Sequence, residues 1–95
     1  MVQIPVKITA VFRGIRSDGT TVDLGIGGGA CELDTPLRLG EAIEIEFGTK
    51  PVRIVHGEVA WVGWAESSAV RLGVRFDNED AEELAAILDA LGVAA

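Results

Sequence analysis

Residues 70–91 read VRLGVRFDNEDAEELAAILDAL, and the spacing of their apolar positions changes partway along. Val70, Leu72, Val74 and Phe76 alternate with Arg71, Gly73 and Arg75, the period of two that lets a strand bury one face. From Asn78 the spacing becomes three and four. Ala81, Leu84, Ala85, Leu88 and Leu91, with Ile87 beside them, form one stripe of an amphipathic helix over about 79–91. Asp77 or Asn78 can cap its first turn, the acids there suit the positive end of the helix dipole, and Gly92 can end it. A strand that runs directly into a terminal helix therefore closes the chain.

Working outward, the period of two returns five times. Val2, Ile4, Val6, Ile8, Ala10 and Phe12 take every even position, and Pro5 marks the start of that strand as an edge. Ser17-Asp18-Gly19 carries a turn signal. Val22, Leu24 and Ile26 alternate into the cluster Gly27-Gly28-Gly29, and Cys31 and Leu33 begin a third strand that Thr35-Pro36 ends. Ile43, Ile45 and Phe47 make a fourth, and Gly48-Thr49-Lys50-Pro51 reads as a hairpin turn. Val55, Gly57, Val59 and Trp61 line one face of a long fifth strand, and Ala65 to Ser68 turn it back into residues 70–76. The expected fold is mainly β: a small six-stranded antiparallel β-barrel over about 2–77 with a C-terminal α-helix, one domain over 1–95. No linker or internal repeat divides it.

Composition narrows the function classes. With 48 % hydrophobic residues the chain has material for one core and lies far from disorder. It holds no apolar run of membrane-spanning length, and its start has no secretory signal pattern, so neither membrane insertion nor export is expected. A lone Cys31 excludes an internal disulfide, and with a lone His56 it excludes the common zinc sites. The cytoplasm is the expected compartment. Net charge is −7, but six of the fifteen acids fall in residues 77–95, which contain no base, leaving −1 over residues 1–76. Neither part has the basic stripe that DNA or RNA binding requires.

Candidate sites are few. Gly25-Ile26-Gly27-Gly28-Gly29 can present backbone N–H groups to an anion, but a dinucleotide fingerprint needs a helix next, and here a strand follows. His56 sits in a strand pattern with no visible acid–base partner, and Cys31 falls at an inward position as an inert thiol. The acids from Asp77 to Glu83 form a solvated face that matches the helix dipole. No nucleophile–base pair and no metal cluster emerges, so neither a catalytic residue nor a cofactor is expected. Asp23 alternates with Val22 and Leu24, which turns it away from the core, just before the glycines. A turn-capping carboxylate is its ordinary reading. Trp61 and Trp64, three apart on a strand, should face opposite sides, Trp61 in the core and Trp64 as a protein-contact candidate.

The run Val22-Asp23-Leu24-Gly25-Ile26-Gly27-Gly28-Gly29-Ala30 resembles the central Asp/Asn-x-Ser-x-x-Gly motif of the PilZ family, with Asp23 in its first place and Gly28 in its last. Thr35-Pro36-Leu37 with Gly40, then Gly57-Glu58-Val59-Ala60-Trp61, then Leu72-Gly73-Val74-Arg75-Phe76 follow in the family's order, over roughly residues 4–77. The resemblance implies a six-stranded barrel of bacterial origin that serves cyclic di-GMP signalling, with Asp23, Gly25 and Gly28 as ligand-binding positions. The family's site also takes an Arg-x-x-x-Arg motif just before the first strand. Arginine suits that task, because its planar fork grips phosphate or the guanine edge in two places. This chain departs twice: Gly25 stands where the motif has serine, and Met1 to Pro5 hold no arginine. Arg13 and Arg16 are three apart and at the far end of that strand.

The resemblance with these departures leads to a regulatory adaptor domain that works through protein contact or self-association, without tight cyclic di-GMP binding. The alternative is a cyclic di-GMP receptor whose arginines are divergent or come from another segment or subunit. The helix stripe itself has two readings. It closes the barrel's open end, or Leu84, Leu88 and Leu91 dock on a partner while the acids set charge complementarity.

Overall fold

Val6, Ile8 and Ala10 are buried while Pro5 and Lys7 are exposed, so the first alternation becomes strand β1 (Pro5–Ala10). The computed structural model describes residues 4–25, 27–49, 52–64 and 70–90. After β1 come β2 (Ile15–Leu24), β3 (Gly28–Leu33), β4 (Ala42–Phe47), β5 (Arg53–Trp64) and β6 (Val70–Phe76). A 3-10 turn (Asn78–Asp80) then leads into α1 (Ala81–Ala90). Every strand pairing is antiparallel, and the order β1-β2-β3-β6-β5-β4 closes on itself through β1 and β4. The barrel and terminal helix read from the sequence are the fold observed.

The interior is one cluster. Ile8, Ile43, Ile45, Phe47, Val55, Val59 and Leu72 are almost wholly removed from solvent, and Leu84, Ile87 and Leu88 of α1 join the same core. The stripe is therefore the barrel's own closure. Leu84 and Leu88, candidates for contact with a partner, are core residues here, and Leu91 lies outside the described residues. Two of the acids expected to meet a partner instead fasten the helix to β5: Arg53 Nη1 donates to Glu83 at 2.9 Å, and His56 N donates to Asp80 at 2.7 Å. Asp77 is the N-cap position of the 3-10 turn, but its side chain makes no capping hydrogen bond.

At the opposite end, where β1 finishes and β4 begins, residues 34–41 cross the barrel with Leu37 buried beneath them. The crossing is tied to β2 by Asp34 N to Asp18 O (3.3 Å) and Thr35 N to Ser17 Oγ (3.1 Å), and to β5 by Gly40 N to Val59 O (2.8 Å). Arg13 clamps it from the β1–β2 turn, donating through Nε and Nη2 to the two carboxylate oxygens of Glu41.

Four sequence expectations need correction. Ser17-Asp18-Gly19 is no turn; it lies within β2, opposite Ile8, Lys7 and Val6. The turn is at residues 11–14, where Gly14 takes a left-handed φ of 67° and donates to Ala10 O at 2.9 Å. Phe12 consequently sits on that turn, 87 % exposed. Pro5 is not on an edge, because closure gives β1 a neighbour on both sides; as the strand's first residue it needs no ladder N–H. The third strand begins at Gly28 rather than at Cys31, so Gly28 and Gly29 are strand residues.

The tryptophans are the fourth departure from the sequence pattern. They do face opposite sides, but the sides are exchanged. A bulge between Val59 and Trp61 leaves Ala60 without a register partner, and the pairings resume as Trp61 with Gly73, Val62 with Leu72 and Trp64 with Val70. Leu72 and Val70 point inward, so Val62 and Trp64 continue the interior face and Trp61 takes the exterior one. Trp61 is 45 % exposed and Trp64 76 %. In β2 Thr21 continues the inward face of Ser17 and Gly19 and its Oγ1 accepts from Ile4 N at 2.9 Å; an irregularity between Thr21 and Asp23 then leaves Val22 half-buried and turns Asp23 outward.

Candidate functional site

The motif residues gather where β2 passes into β3. Gly25 N donates to Gly28 O at 2.9 Å, which closes the connection, and Gly27 O accepts from Phe76 N at 3.1 Å, which fastens it to β6. Asp23 faces solvent after the bulge, opposite Ala30. Its carboxylate has no hydrogen bond or ion pair among the described residues, so it does not serve as the turn cap that its position invites.

The glycines differ in why they are there. Gly28 lies opposite Arg75, with β3 and β6 so close that a Cβ on Gly28 would stand 2.5 Å from Val74 O. Backbone on both sides cannot yield, and the position admits glycine alone. At Gly25 a Cβ would meet only Gly28 O, at an ordinary 3.6 Å. Serine, the family's residue here, would fit. What this chain lacks at Gly25 is a hydroxyl, not the room for one.

Five of the six arginines of the chain are already engaged. Arg75, the base on the strand beside Gly28, is well exposed but pairs with Glu58 at 3.1 Å. Arg71 pairs with Glu32 at 2.7 Å, Arg53 with Glu83 at 2.9 Å and Arg16 with Glu46 at 3.5 Å, while Arg13 holds Glu41. The bidentate Arg13 fork, helped by a hydrogen bond from Arg38 N, lowers the Glu41 carboxyl to about 2. A shallow groove of about 340 Å³ runs between β2 and β3 over Gly19 and Leu33, but its rim is Asp18, Glu32 and Asp34. Its charge is wrong for a phosphate.

The other candidates take ordinary roles. Cys31 is buried among apolar neighbours, which pushes its thiol up to about 12, so it is no nucleophile. His56 is exposed, and its Nδ1 lies 3.1 Å from Asp80, a partner 24 residues further along the chain that no local pattern signals. Among the described residues no group of His, Cys, Asp or Glu is arranged to hold a metal ion, and no helix is long and apolar enough to cross a membrane.

The backbone is similar to a solved structure, the PilZ domain with c-di-GMP of YcgR from Escherichia coli. The TM-score is 0.72 at 20 % identity, covering 94 % of this chain and 82 % of that one. At that identity the likeness speaks for the fold. No curated protein matches the chain. The family model for the PilZ domain matches residues 2–91. With a six-stranded closed barrel, a terminal helix and a match over nearly its whole length, the chain belongs to the PilZ domain family.

Proposed function

We propose that this PilZ domain is a regulatory adaptor that acts through protein contact and holds cyclic di-GMP weakly or not at all. The observation that carries the reading is the state of five of the six guanidinium groups. Arg13, Arg16, Arg53, Arg71 and Arg75 each face a carboxylate of the same chain. A ligand with two phosphates and two guanines would have to displace those acids from a molecule of net charge −7. Gly25 adds no hydroxyl to offset the loss. Each missing hydrogen bond to a charged group costs about 1.5–3 kcal/mol, and two or three of them convert a micromolar site into a millimolar one.

The alternative, a cyclic di-GMP receptor, draws on one feature: the exposed carboxylate of Asp23 at the family's motif position, unpaired among the described residues. Calorimetric titration with cyclic di-GMP at low salt separates the two. The adaptor reading expects no saturation below about 100 µM, and a dissociation constant near about 1 µM would replace it with the receptor reading.

A further inference from the structure

β5 is longer than the barrel needs. Its register with β4 runs from Arg53 to Glu58, and the hydrogen bonds of Val59 to Gly40 and Glu41 end the contact on that side. Beyond the bulge, Trp61 to Trp64 pair with β6 alone. The segment Ala60–Trp64 therefore presents one unpaired strand edge, and Val62 and Trp64, on the continuation of the interior face, have no barrel wall opposite them. Among the described residues nothing covers this edge. A run of N–H and C=O groups without partners is a template for another strand.

We infer that this overhang is a self-association edge at which β5 of a second copy of this chain adds antiparallel, extending the sheet across a two-fold axis. This deepens the adaptor reading by naming one protein contact. Two properties of the segment select a second copy. First, Ala60-Trp61-Val62-Gly63-Trp64 carries no charge on a molecule of −7, so the strand edge itself holds no acid to repel its copy. Second, the segment complements itself. A two-fold through Val62 sets Val62 against Val62 of the partner and Trp61 against the partner's Gly63, then the same in reverse: the largest side chain opposite a residue that has none, twice. Lysine and proline, which guard an edge against pairing, are both absent, and the bulge at Ala60 lies at the base of the overhang rather than within Trp61–Trp64.

Sedimentation equilibrium on the full chain tests the inference. The wild type is expected to dimerise with a dissociation constant of about 10–100 µM. Val62→Lys should weaken the dimer at least about tenfold. Val52→Lys, an equal charge change at an exposed site outside the overhang, should leave it intact. A second readout does not depend on the lysine variant folding. In Trp61→Phe, Trp64 is the remaining indole, and its emission should move to the blue as concentration drives dimerisation. A chain monomeric to about 1 mM, a dimer indifferent to Val62→Lys, or a dimer that forms with no change in Trp64 emission would each overturn the inference. A monomer leaves the adaptor reading standing, and micromolar cyclic di-GMP binding removes that reading while leaving the dimer.

Discussion

The indole of Trp61 occupies the space that a side chain at Gly73 would fill. Nε1, Cδ1 and Cε2 of the ring all lie where a Cβ on Gly73 would come into hard contact. Gly73 is buried although it lies on the exterior face, because the ring lies over it. The bulge at Ala60 makes this arrangement, since without it Trp61 would point into the core.

Gly73→Ala should expel the ring rather than break the sheet. The neighbour is a half-exposed side chain that can swing into solvent, so the expected cost is modest, about 1–2 kcal/mol of lost apolar burial. Tryptophan emission should shift to the red in Gly73→Ala, and that shift should be absent when Gly73→Ala is made on a Trp61→Phe background.

The two motif glycines should behave in opposite ways. Gly28→Ala forces a Cβ against Val74 O and is expected to destabilise the barrel by about 1–3 kcal/mol. Gly25→Ser enters open space and should stay within about 0.5 kcal/mol of the wild type. Chemical denaturation of the two variants gives both numbers. If Gly25→Ser also brings cyclic di-GMP binding into the micromolar range, the missing hydroxyl rather than the engaged arginines is what weakens the site.

Acid should act through the Arg13–Glu41 clamp. The Glu41 carboxyl lies at about 2 in the folded chain against 4.5 as its ordinary value, so the folded state favours the charged form. Its contribution is complete above pH 4.5 and is lost as pH falls towards 2. Glu41→Gln should therefore be less stable than the wild type at neutral pH, and the gap should narrow steadily across that window. A constant gap from pH 6 to about 2 would show that packing, not charge, makes the clamp.

The helix is the barrel's closure, and truncating its buried stripe should be costly. Leu84→Ala and Leu88→Ala each remove a side chain with almost no exposure and are expected to cost about 2–5 kcal/mol. Glu82→Ala, on the exposed side of the same helix, should be near neutral. Thermal unfolding of the full chain measures all three. Leucine variants that unfold with the wild type would mean that the stripe packs elsewhere.

The order and type of the elements are legible in the residues alone. The alternation at residues 70–76 and its change to three-four spacing set the last strand and the helix, because burying one face of each element imposes its own period on the sequence; of the helix stripe Leu84, Ile87 and Leu88 are the buried members, while Ala81 is exposed and Ala85 half-buried. The motif Asp23 to Gly28 and its departure at Gly25 are equally visible, since both depend on residue type alone. Tertiary structure decides what depends on register. One unpaired residue, Ala60, exchanges the faces of Trp61 and Trp64, and one irregularity after the inward-facing Thr21 turns Asp23 outward. A period-two count cannot detect a bulge, because the inserted residue looks like any other. Gly19 is glycine because β3 approaches it too closely for a Cβ, a contact that residues 17–19 alone do not reveal, and the turn falls at Gly14 instead. The carboxylate partners of the arginines are decided by which strands the closed barrel sets side by side. Arg71 and Glu32 are 39 residues apart in the chain, and only the pairing of β3 with β6 brings them to 2.7 Å.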